Sequence, residues 1–108
     1  MPNSRLNPLL AISPLDGRYA VKCKDLIPCF SEFALMRFRV MVEAKWFLFL
    51  SIQPRIKELT EIHGNSLQRL ESLYQNFDLI DAERIKEIEA KTNHDVKAVE
   101  YFVKERLQ

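Results

Sequence analysis

Four of the five prolines, Pro2, Pro8, Pro14 and Pro28, fall in the first 28 residues, and beyond them only Pro54 and Gly64 punctuate the chain. Proline removes a backbone donor and its ring clashes with the preceding helical turn, so the first 30 residues cannot hold a long uninterrupted helix. The remainder is free to be helical. The expectation is therefore an irregular arm over 1–30 followed by a helical region over 31–108. Apolar residues make up 47 % and charged residues 29 %, a balance that can bury enough surface to order a domain of 108 residues. Lysine and arginine (16) nearly cancel aspartate and glutamate (15), leaving a net charge of +1 and no polybasic field for nucleic acid or an anionic membrane. Two cysteines, Cys23 and Cys29, are too few for a disulfide framework and read as buried or inert thiols of a cytoplasmic protein.

Ser31–Ser51 lacks Gly and Pro, and 14 of its 21 positions are apolar, which predicts a helix with Ser31 as N-cap. Five charges spread through it argue against a transmembrane span. Its apolar stripe is wide enough to expect neighbours on more than one side, from another part of the chain or another subunit. Ile56, Leu59 and Ile62 follow Pro54 at helical spacing and predict a short helix over 54–63, ended by Gly64 in the left-handed region. Asn65 with Gln68 resembles a capping box opening a helix over 66–76. Asp81 is placed as the cap of a helix over 81–91, and Thr92 with Asp95 as the cap of one over 94–108. The fold class is all-α, an arm and about five helices. The last helix keeps its apolar period to Gln108 with no stop signal, which predicts a chain cut within that helix.

Two clusters could carry chemistry. In Ser13-Pro14-Leu15-Asp16-Gly17-Arg18-Tyr19 a turn is expected, with Gly17 supplying φ > 0; it would present the Arg18 donor fork, suited to phosphate or carboxylate, beside the Tyr19 hydroxyl. Asn93-His94-Asp95 lies at the start of the last helix, where unpaired N–H groups and the helix dipole favour an anion. The competing structural reading makes the first a surface turn, and the second a set of capping residues with His94 a passenger. His63 and His94 are far from the cysteines and from each other in sequence, so no metal-ligand spacing exists, and two glycines exclude a P-loop or Rossmann turn.

Together, the 13–19 string and Thr92-Asn93-His94-Asp95-Val96-Lys97-Ala98-Val99-Glu100-Tyr101-Phe102 resemble the N-terminal domain of the bacterial adenylosuccinate lyase family, within the fumarase and aspartase superfamily. Phe30-Ser31-Glu32 and Arg37-Phe38-Arg39-Val40 resemble it as well. The resemblance implies a homotetrameric lyase, built on a long helical bundle, that eliminates fumarate from adenylosuccinate and from a succinylated imidazole carboxamide ribonucleotide. It implies no cofactor and no metal. It further implies that Arg18 and Tyr19 bind the purine nucleotide at its phosphate end. Asn93, His94 and Asp95 would line the pocket, with His94 assisting the proton donor to the leaving nitrogen. The family's catalytic histidine, in a Thr-x-His-x-Gln context, and its Ser-Ser-x-Met-Pro-x-Lys base loop are absent from these 108 residues, apart from Met1-Pro2. The segment alone is thus expected to be inactive, to expose the surface that the bundle would cover, and to self-associate. The alternative is a free-standing helical interaction module.

Overall fold

The computed structural model describes residues 7–108, which fall into two units, one ending at Ser31 and one spanning Glu32–Gln108. The expectations that rest on residues 1–6, Pro2 included, lie outside the described residues. No strand occurs among the described residues, and none of their helices is long and apolar enough to cross a membrane.

In the first unit the arm is more helical than its prolines suggest. It carries 3-10 turns at Pro8–Leu10 and Val21–Leu26 and one α-turn, α1, at Ile27–Phe30. Pro8 and Pro28 each sit in the first turn of their segment, where the missing N–H would have no intrahelical partner anyway. Proline therefore limits the length of these helices rather than forbidding them. Both thiols are accessible: Cys29 is exposed and Cys23 half-buried.

The second unit contains α2 (Glu32–Ser51), α3 (Asn65–Gln75), α4 (Leu79–Thr92) and α5 (Asp95–Leu107). Arg84 pairs with Glu105 and Asp81 with Arg106, so positions on α5 rise as those on α4 fall, and the two helices are antiparallel. Met36 and Val40 of α2 close over Ala82, Ile85 and Ile88 of α4 and Ala98, Val99, Phe102 and Val103 of α5. Phe77, just before α4, joins this core; its ring lies 5.4 Å from Phe33 and meets Phe102 edge-on at 6.0 Å.

The helix expected over 54–63 does not form. Ten residues that include the β-branched Ile56, Thr60 and Ile62 make a marginal helix without a packed face. Ile56, Leu59 and Ile62 are still the half-buried apolar positions of the segment, so their spacing marked burial and not helix. Gly64 does not end a helix. It precedes Asn65, the first residue of α3, at φ 62° and ψ −134°, a conformation open to glycine, and the Asn65 capping box is not made. The start of α4 also moves. Asp78 is the N-cap: its Oδ1 accepts the Asp81 N–H at 3.0 Å while Asp81 Oδ2 accepts the Asp78 N–H at 3.2 Å. Asp81 is buried as the third residue of this box, and Arg106 Nη2 reaches its Oδ1 at 2.7 Å.

α2 is apolar nearly all round. Ala34, Met36, Val40 and Ala44 face the core, whereas Leu35, Val42, Trp46 and Phe49 remain exposed along a second stripe at helical spacing, with Trp46 stacked on Phe49 at 5.6 Å. The core side is the sensitive one. Phe102 is fully buried, so Phe102→Ala should lower the unfolding free energy by about 3–5 kcal/mol in urea titrations, and a loss under about 1 kcal/mol would contradict this packing.

Candidate functional site

Arg18 and Tyr19 are held by a self-contained turn. The Asp16 carboxylate accepts the Ser13 N–H at 2.8 Å, the Ser13 hydroxyl at 3.2 Å and the Ile12 N–H at 3.3 Å, and Ser13 Oγ in turn accepts the Leu15 N–H at 3.1 Å. These donors, the Ser13 N–H foremost, hold the Asp16 carboxyl below the usual carboxylate range. Pro14 carbonyl accepts the Tyr19 N–H at 2.8 Å and closes the turn. Gly17 is required here for a reason other than a positive φ. A Cβ at this position would lie 2.8 Å from the Pro8 carbonyl oxygen and 3.0 Å from the Ala11 Cβ, so glycine is needed for close approach of two backbone segments. The Arg18 guanidinium lies over the Tyr19 ring at 4.7 Å, and both side chains are exposed.

In the second unit, Asn93, His94 and Asp95 form the joint between α4 and α5. Asn93 adopts the left-handed conformation, φ 54° and ψ 30°, and its N–H donates to the Glu89 carbonyl at 2.7 Å, ending α4. Asparagine tolerates that region better than other non-glycine residues. His94 then returns to an extended backbone and caps α5, its Nδ1 accepting the Lys97 N–H at 3.1 Å. Neither Thr92 nor Asp95 is the cap, and His94 is no passenger. Thr92 Oγ1 accepts the His94 N–H at 3.2 Å, Asp95 Oδ1 accepts the Val96 N–H at 2.8 Å, and Asp95 Oδ2 is held by Arg39 Nη1 of α2 at 3.0 Å.

This geometry changes the chemistry expected at the helix start. The N–H groups of His94, Val96 and Lys97 are already accepted by neighbouring side chains, so the backbone offers little to an anion. What remains is carried by side chains. With Nδ1 committed as an acceptor, a neutral His94 keeps its proton on Nε2, which then points away from the cap as a donor. The Asn93 side chain borders a shallow polar hollow with Lys86, Glu89 and Ala90. Arg39 is the contributor that the sequence did not single out; it is one of five charges on an otherwise apolar helix, and its role is intelligible only once Asp95 lies opposite.

Two expectations follow. His94→Asn, whose Oδ1 can replace Nδ1 at the cap, should melt close to the parent protein, whereas His94→Gln, which places its polar atoms one bond farther out, should be destabilised by about 1 kcal/mol. Equal melting of the two variants would remove His94 from the cap. The Arg39 guanidinium hydrogen-bonded to Asp95 holds its carboxyl below the usual range. Asp95 thus contributes stability above the unfolded-state value, and this is lost as pH falls through the depressed folded one. NMR titration should find the Asp95 midpoint low and Arg39→Gln should raise it; an unmoved midpoint would show that the pair is not formed in solution.

No protein-family model matches this chain. Curated relatives do. The chain is 50 % identical over 103 residues to an adenylosuccinate lyase of Legionella pneumophila (strain Corby), covering 95 % of this chain and 23 % of the relative. It is 50 % identical over 104 residues to the Haemophilus influenzae adenylosuccinate lyase, covering 96 % and 23 % respectively. With the Dictyostelium discoideum adenylosuccinate lyase the identity is 45 % over 106 residues, covering 97 % and 23 %. The chain spans about a quarter of the length of these relatives, and over nearly all of its own 108 residues it is similar to adenylosuccinate lyases.

Proposed function

We propose that these residues are the N-terminal domain of a cytoplasmic, homotetrameric lyase that eliminates fumarate from adenylosuccinate and from the succinylated imidazole carboxamide ribonucleotide. The observation that carries the proposal is the 45–50 % identity to adenylosuccinate lyases over nearly the whole chain. The substrate is a purine nucleotide, and no metal or organic cofactor takes part. Arg18 and Tyr19 hold its phosphate end. Asn93, His94 and Asp95 line the substrate pocket.

β-Elimination requires a base for the proton beside a carboxylate, stabilisation of the charge that accumulates on that carboxylate, and an acid for the departing nitrogen. The principal acid and base belong to the remaining three-quarters of the lyase. The arm's contribution is binding energy from a point remote from the bond that breaks, which orients the substrate. His94 contributes an Nε2–H donor whose direction is fixed by the cap at Nδ1, so it assists the proton donor by hydrogen bonding to it or to the substrate. On this reading the exposed Leu35, Val42, Trp46 and Phe49 stripe of α2 packs against the central bundle.

Fumarate release, followed by absorbance, tests the proposal. The full-length lyase should be active and residues 1–108 alone inactive. In the full-length protein, Arg18→Ala should lower kcat/KM by about ten- to a hundredfold through loss of a charged hydrogen bond. His94→Ala should lower it by roughly a hundredfold or more. Near-normal kinetics for both variants would sink the site assignment, and fumarate release by the 108 residues alone would refute the division of labour.

A further inference from the structure

Tyr19 has a cation on it from two directions in sequence. The chain coils through Gly17–Cys23, with Gly17 carbonyl accepting the Ala20 N–H at 3.1 Å and Tyr19 carbonyl accepting the Cys23 N–H at 3.1 Å. That coil places Arg18 and Lys22 one turn apart. The Arg18 guanidinium carbon lies 4.7 Å and Lys22 Nζ 5.7 Å from the centre of the same ring. Neither cation has a carboxylate within ion-pair distance among the described residues. Asp16, the nearest acid in sequence to Arg18, has its oxygens turned back onto Ile12 and Ser13. In the second unit Arg39, Arg84, Lys86, Lys97 and Arg106 each reach a carboxylate, while Arg37 and Lys45 lie over the rings of Phe38 and Tyr74; among the described residues, only at Tyr19 do two cations without a carboxylate in ion-pair distance share one ring. The ring attracts both cations through its quadrupole but carries no net charge to cancel theirs.

We propose that Lys22 is a second phosphate-binding cation, acting with Arg18 across the Tyr19 ring on the phosphate monoester of the nucleotide. The inference rests on the assignment of Arg18 and Tyr19 to the phosphate end. A phosphate monoester carries a charge of about −1.5 to −2 near neutral pH, enough to engage more than one cation. Arg18 supplies the planar fork that takes two oxygens; Lys22 supplies a compact point charge that needs no fixed geometry. The Tyr19 ring keeps the two side chains together before the anion arrives, and its hydroxyl adds a neutral donor. Lys22 would thereby set the preference for nucleotide over nucleoside.

The test uses the full-length lyase, with AMP and adenosine as competing inhibitors. Lys22→Gln should raise KM and the inhibition constant of AMP by about tenfold, with kcat changed less than about twofold. Adenosine inhibition should not move. Lys22→Glu should exceed that loss, and Lys22→Arg should recover most of it, which a merely structural lysine would not produce. Equal weakening of AMP and adenosine, or no change in AMP binding while Arg18→Ala weakens it, would overturn the role of Lys22 alone. If Arg18→Ala also leaves AMP binding unchanged, the phosphate assignment of the arm falls and the role of Lys22 falls with it.

Discussion

The two residues between α4 and α5 are the constraint on which the second unit depends. α4 ends because Asn93 turns left-handed, and α5 begins because His94 returns to an extended backbone and caps the next turn. A reversal of chain direction within two residues forces antiparallel packing. It brings Ile85 and Ile88 against Val99 and Phe102, and puts Arg84 within reach of Glu105. The ion pairs that follow are half-exposed and are screened by salt, so they select register more than they stabilise. Glu105 holds the Arg84 guanidinium in its charged form, and Arg84 in turn lowers the Glu105 carboxyl.

The same joint carries three of the proposed site residues, which ties local stability to chemistry. A ligand donor on a loop is ordinarily free to choose its rotamer and, if it is histidine, its tautomer. His94 has neither freedom while its Nδ1 caps α5. Asp95 is likewise held from the side by Arg39, so α2 reaches the proposed site through one charge pair while Ala34, Met36, Val40 and Ala44 of the same helix serve the core. Preorganisation of this kind is obtained with hydrogen bonds that the helix termini would otherwise leave unmade.

The first unit fixes its turn by a different route. None of its described residues is buried, yet a single carboxylate, Asp16, gathers three donors, and Gly17 lets the Pro8 carbonyl approach where a side chain would collide. Arg18 and Tyr19 follow directly, so their backbone is set by contacts within residues 8–19.

The order of residues alone determined the all-α class, the position of α2 and the two polar clusters, because periodicity, proline placement and short motifs are local properties. It could not determine which of two aspartates three apart caps α4, since Asp78 and Asp81 each accept the other's N–H; burial of Asp81 under Arg106 accompanies the choice. Nor could it separate a helix from a partly buried loop over 54–63, where apolar spacing is the same in both. It placed anion-binding amides at the start of α5, but local capping spends those amides on Thr92, His94 and Asp95 and leaves the proposed binding to side chains. Arg39 and Asp95 are 56 residues apart. Only packing of α2 against α5 makes them partners, because an ion pair depends on distance in space, which local pattern does not encode.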